Sequence, residues 1–298
     1  MSISFTGPIR LFFAVALCAS SVGLAAQRDI EQSMPADANG QVEISNVSGL
    51  VDVKGWDQPK VEIKGKLSGN VDRVDVSTNK GRTVIKVVTH SGSRGEAVLR
   101  IRVPKGSELS VYATSADIRT EGLSGEQRLK TVSGDIDASL SDADAETKTV
   151  SGDTVIHGDR KAISVRATSV SGDIHYERGA GDLEASTVSG DLEAALDPGK
   201  DIRIRTTSGD VTLTGRLGGR SSIDGEAISG ELLVRMNSED GYRYEISSFS
   251  GDIDNCFNVT AERSSKYGPG SRLMGTRGDG KGEVRLKTMS GDINICDR

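Results

Sequence analysis

Thr131-Val132-Ser133-Gly134-Asp135-Ile136 decides how this chain is read. It returns as Thr149-Val150-Ser151-Gly152-Asp153, Ser169-Val170-Ser171-Gly172-Asp173-Ile174 and Thr187-Val188-Ser189-Gly190-Asp191-Leu192. Shorter copies follow at Ser208-Gly209-Asp210, Ser250-Gly251-Asp252 and Ser290-Gly291-Asp292. The motif serine falls at 115, 133, 151, 171, 189, 208, 229 and 250, in steps of 18 to 21 residues, and after a gap of 40 at 290. Such a period marks a fold in which one small unit stacks on the next.

The residues around the motif alternate with period two. Four before the serine stand Val111, Leu129, Thr147, Ala167, Ala185, Ile204, Gly225, Ile246 and Leu286; two before, a small column runs through Thr131, Thr149, Ser169, Thr187 and Thr206. Three after it come Ile118, Ile136, Thr154, Ile174, Leu192, Val211, Leu232, Ile253 and Ile293. Positions between are mostly polar, so each unit reads as a strand, a Ser-Gly-Asp corner and a second strand. Glycine admits backbone angles closed to other residues, and the Asp can bond amides of its own turn. One unit cannot bury its apolar face alone, whereas stacked units place each column on itself at ~4.8 Å. The expected fold is therefore all-β: a single-stranded β-solenoid (β-helix) of ~20-residue two-strand coils, about nine of them over roughly 40 Å. A triangular hexapeptide helix does not fit, because the apolar positions do not recur every six residues. A two-sheet sandwich would not explain one corner repeating the same residue types.

Along the chain, residues 1–26 read as a signal peptide: Arg10, the apolar run Leu11 to Leu17, then small residues that place cleavage near Ala25 or Ala26. Cys18 lies inside the apolar run after Leu17, the wrong setting for a lipidated cysteine. The apolar run is shorter than the ~20 residues of a membrane span, so the mature chain is expected to be exported, periplasmic or at the cell surface, with no transmembrane segment. Residues 27–40 form a polar lead, and 41–110 an N-terminal β region that caps the solenoid. Residues 111–298 carry the repeats, with a Gly-rich insertion at 257–282 in the last coil. A formal charge of −6 from 37 basic and 43 acidic residues argues against nucleic acid as a partner.

The start Val47-Ser48-Gly49 followed by Gly55-Trp56-Asp57, the serial Ser-Gly-Asp coils, the Gly-rich stretch and the closing Met289-Ser290-Gly291-Asp292-Ile293 resemble the bacterial putative-adhesin family of exported β-solenoids. The resemblance covers residues 40 to 296. It implies an envelope or cell-surface solenoid of unknown function, with no catalytic residues to carry over.

Cys256 and Cys296 each stand six residues after their motif serine, at 250 and 290. Equivalent positions in adjacent coils suit a disulfide, and export supplies an oxidising compartment. The Asp ladder invites a calcium reading, but one carboxylate per coil is sparser than calcium-binding repeats carry, and turn chemistry explains it. His90, His157 and His175 are not spaced as metal ligands, and no acidic pair is marked for catalysis. Neither a metal, a cofactor nor an enzyme activity is therefore expected. Outward positions of the first strand carry Arg128, Lys130, Lys148, Arg166, Arg203, Arg205, Arg243, Arg285 and Lys287, interspersed with acids. That face is either a solvated mixed-charge surface or a site for an anionic envelope glycan. Arg277-Gly278-Asp279 matches an integrin-binding tripeptide by chance composition of a Gly-rich loop. The expected function is a non-enzymatic, adhesin-like binding or structural module, with an envelope glycan or envelope protein as partner. The alternatives are a carbohydrate-active β-helix enzyme on acidic polysaccharide and a regulatory partner in an envelope-stress pathway.

Overall fold

The computed structural model describes residues 27–90, 95–263 and 269–297. The expected signal peptide, residues 1–26, and residues 264–268 of the Gly-rich insertion lie outside them. No helix is long and apolar enough to cross a membrane among the described residues.

The chain is all-β and solenoid-like. Strands before and after each corner pair in parallel with their equivalents in the next repeat. Gln127–Lys130 pairs Ala145–Lys148, which pairs Ile163–Thr168, and Ile136–Leu140 pairs Thr154–His157 beyond the corner. The register is the one the columns demand. Ile136, Thr154, Ile174, Leu192, Val211 and Leu232 stand opposite one another in turn and are all buried. A register slip of one residue would turn every such side chain to solvent.

The order of stacking departs from the order of sequence at both ends. Gln41–Trp56 pairs on one side with Glu108–Leu123 and on the other with Arg82–Thr89 and Ala97–Pro104. The later segment thus lies outside the earlier one. At the far end Gly282–Ser290 is inserted between Val211–Ser229 and Gly241–Ser250, bringing Ser229, Ser290 and Ser250 into one row. The 250 coil therefore follows the 229 coil in sequence but not in the stack. Gly225 makes room for the inserted segment: a Cβ there would meet Leu286 Cδ2 at 2.8 Å.

Antiparallel strands close both ends. The polar lead is itself a strand, Arg28–Pro35, antiparallel to Lys60–Leu67, which in turn lies on Ala97–Pro104. Val71–Asn79 covers Arg82–Thr89. At the other end Ser271–Gly278 runs back along Gly241–Ser250 and pairs antiparallel with Glu262–Arg263, so the described part of the insertion forms an antiparallel outer edge. Charged strands at the rim blunt edges that would otherwise template pairing with another chain.

The corner explains the motif. Each Asp Oδ1 accepts the backbone N–H of the Asp in the following coil, through Asp117 to Asp135 (3.1 Å), Asp135 to Asp153 (3.0 Å), Asp153 to Asp173 (3.0 Å) and Asp173 to Asp191 (2.8 Å). The carboxylate therefore serves the next coil's turn, where the sequence had suggested its own. Two hydroxyls of the small column also reach across, Thr131 Oγ1 donating to Ala116 O (3.3 Å) and Ser248 Oγ to Gly291 O (3.1 Å), while those of Thr149, Ser169, Thr187, Thr206 and Thr288 are buried with no hydrogen-bond partner among the described residues. Replacing Asp173 with Ala should cost about 1 kcal/mol, one cross-coil hydrogen bond, while Asp173→Asn keeps an acceptor and should cost less. Urea denaturation distinguishes the two.

One aromatic marks the second face. Tyr176 is buried against Gly179, and burial pushes its hydroxyl up from 10.0 to about 12. The folded chain holds that proton more tightly than the unfolded one, so this contribution is complete below pH 10 and lost as pH rises towards 12. Melting temperature should fall across that window, and Tyr176→Phe should reduce the fall.

Candidate functional site

Counting back from the motif serine separates the basic positions into two columns with different surroundings. Five residues before the serine, the stacked order is Arg128, Glu146, Arg166, Glu184, Arg203, Asp224, Arg285 and Glu245. The charges alternate at every step. Opposite charges facing across strands stabilise a pairing, and like charges oppose it. Arg166 bonds Glu184 at 2.7 Å, whereas Arg128 and Arg285 pair with Glu126 and Glu283, two residues earlier in the chain. Arg243, on the same strand as Glu245, lies apart from both columns.

Three residues before the serine stand Lys130, Lys148, Thr168, Ser186, Arg205, Glu226, Lys287 and Ser247. Lys130 and Lys148 both reach Glu146, at 3.4 and 2.5 Å. The hydrogen bond from Lys148 holds the Glu146 carboxyl below its ordinary value, with the charge of Lys130 adding to it against partial burial. Arg205 pairs Glu226 at 3.5 Å. Among the described residues Arg203, Arg243 and Lys287 have no carboxylate within ion-pair distance. The nine basic residues are therefore not one uniform anion-binding surface.

One residue before the serine is a third column. It runs Val132, Val150, Val170, Val188, Thr207, Ile228, Met289 and Phe249, and all but Thr207 are exposed large apolar side chains, between 41 and 60 % accessible. Between it and the basic column lies a trough of about 500 Å³ at the C-terminal half of the stack. Its floor is the backbone of Thr187, Thr206, Ala227 and Thr288, whose side chains face the core; one wall is Thr207, Ile228, Met289 and Phe249, the other Arg205, Glu226 and Lys287.

Other sequence candidates fall elsewhere. Cys256 and Cys296 form a disulfide with Cα atoms 5.0 Å apart, joining the inserted strand Ile293–Cys296 to the end of Ile253–Asn255. Beside it Asp297 accepts from Tyr242 Oη (2.5 Å) and from Arg277. That ion pair occupies the arginine of the Arg277-Gly278-Asp279 tripeptide. His157 sits between Asp137 (3.4 Å) and Glu177 (2.5 Å), and His175 beside Glu193 (3.2 Å). No group of three or more His, Cys, Asp or Glu is arranged to hold a metal among the described residues. The Asp ladder spends one oxygen of each carboxylate on the next coil's amide.

The model of the Toastrack DUF4097 family matches residues 19–214 and again 196–296. The chain belongs to the Toastrack family. A solved structure described as a putative adhesin from Bacteroides fragilis aligns with a TM-score of 0.51 at 14 % identity, over 72 % of this chain and 98 % of that one. A putative cell adhesion protein from Clostridium sporogenes aligns with a TM-score of 0.22 at 13 % identity, over 90 % of this chain and 99 % of that one. At such identity the first likeness establishes a shared fold, not a shared ligand. No curated protein matches the chain.

In this Toastrack chain the apolar column was the feature that motif reading passed over. The signal was present: Val132, Val150, Val170 and Val188 stand at an odd offset from the buried positions two and four before the serine. On a strand, odd offsets point outward.

Proposed function

We propose that the chain is an exported, non-enzymatic binding module of the bacterial envelope, with the trough beside the stacked corners as its working surface. The apolar column supports this most. Scattered surface valines need no explanation, but exposed Ile228, Met289 and Phe249 on adjacent coils beside a polar wall form the pattern of an interaction site. The Cys256–Cys296 disulfide supports export, because such bonds persist in oxidising compartments. A periplasmic or cell-surface location, and envelope glycans or envelope proteins as partners, follow from the same reading.

Retention of solubilised envelope glycans and envelope proteins on the immobilised mature chain tests it. The module is expected to retain a component. If that component is an anionic glycan read by the basic positions, replacing Arg203, Arg205 and Arg243 with Ser abolishes its retention. A chain that retains nothing contradicts the reading, as does turnover of uronic-acid polysaccharide that survives purification to homogeneity. Co-purification with one membrane protein alone would favour a regulatory role.

A further inference from the structure

We propose that the trough takes the hydrocarbon chain of a long-chain fatty acid, with the carboxylate at Lys287. The inference rests on the binding-module reading and names the ligand class of the same surface.

The trough's shape is that of a single extended chain. Its floor is the backbone of the inward-facing small column, and its apolar wall, Ile228, Met289 and Phe249, is continuous across adjacent coils. Coils are spaced ~4.8 Å apart, so the five coils that line the trough extend it to roughly 19 Å. The facing wall supplies one available cation. Glu226 stands between Arg205 and Lys287 in register, but its carboxylate goes to Arg205, leaving Lys287 without an ion pair among the described residues. An apolar chain ending in one negative charge complements such a wall.

Two other occupants fit less well. A second copy docked along the whole apolar column would cover a strip of roughly 34 by 10 Å, less than half of the ~800 Å² per partner of a standard interface. An anionic membrane laid on the corner would meet the row of Asp173, Asp191, Asp210 and Glu231, exposed or partly exposed just beyond the serines. A chain lying in the trough stays on the other side of that row.

Calorimetric titration of the mature chain with hexadecanoate is the test. Saturable binding is expected, about tenfold weaker for dodecanoate because an open trough covers only part of each methylene. The double variant Ile228→Ser, Met289→Ser should weaken binding at least about tenfold, and Lys287→Ser should weaken hexadecanoate but not hexadecanol. Val132→Ser, on the same column outside the trough, should change nothing. All four residues are exposed, so the fold should survive, and circular dichroism verifies this. Absence of hexadecanoate binding, or binding indifferent to these variants, overturns the proposal. So does flotation with phosphatidylglycerol-containing vesicles without fatty-acid binding, or dimerisation lost in the Ile228→Ser, Met289→Ser variant. If hexadecanoate fails while another envelope component is retained, the ligand class falls and the binding-module reading stands.

Discussion

Replacing Gly209 with alanine should cost more than about 3 kcal/mol. Gly209 has φ +146°, and a Cβ there would lie inside contact distance of the Gly190 carbonyl oxygen one coil below. Both obstacles are backbone against backbone, so no side-chain rotation relieves them. The coils on either side are held by Gly190 N–H to Ser208 O (3.2 Å) and Gly209 N–H to Ser229 O (3.3 Å). Separating them to admit a methyl would strain both bonds. Ser208→Ala, whose side chain is exposed, should stay within about 0.5 kcal/mol of wild type. Urea unfolding followed by circular dichroism measures both. Equal stability of Gly209→Ala and wild type would mean that the corners do not approach as described.

The second large effect is expected at the disulfide. Cys256 and Cys296 are separated by 40 residues, and loop-closure entropy for that length gives about 4 kcal/mol. The loss in Cys256→Ser, Cys296→Ser should be local, because each coil of a stack is stabilised by its neighbours alone. Hydrogen exchange should accelerate in 241–255 and 282–296 and remain slow in 127–196. Uniform acceleration throughout the chain, or no change, would contradict the assignment of this bond to the C-terminal end.

The columns buried at Ile136, Ile174 and Leu192 were legible in the sequence because burial restricts a position to apolar residues and the repeat shows the restriction many times. The destination of the Asp carboxylates was not, since an Asp bonding its own turn and an Asp bonding the next coil demand the same residue. Stack order was hidden for a similar reason: Ser250 and Ser290 carry interchangeable corners. One clue was nonetheless available. Stacking in sequence order would set Asp224 against Glu245, two acids, whereas inserting the last coil places Arg285 between them. The candidate trough depends on that insertion, which brings Met289 between Ile228 and Phe249.

The order of the last three coils is therefore the point on which both fold and site turn, and paired cysteines measure it directly. Ser229 and Ser290 are exposed partners in adjacent parallel strands, a spacing of ~4.8 Å that a disulfide can span. With the native disulfide kept, Ser229→Cys, Ser290→Cys should oxidise spontaneously to a 229–290 bond identified by mass spectrometry of non-reduced peptides. Ser229→Cys, Ser250→Cys should remain two free thiols, because the 290 corner stands between them. A 229–250 bond in the second variant, with none in the first, would contradict the inserted coil and dismantle the trough with it.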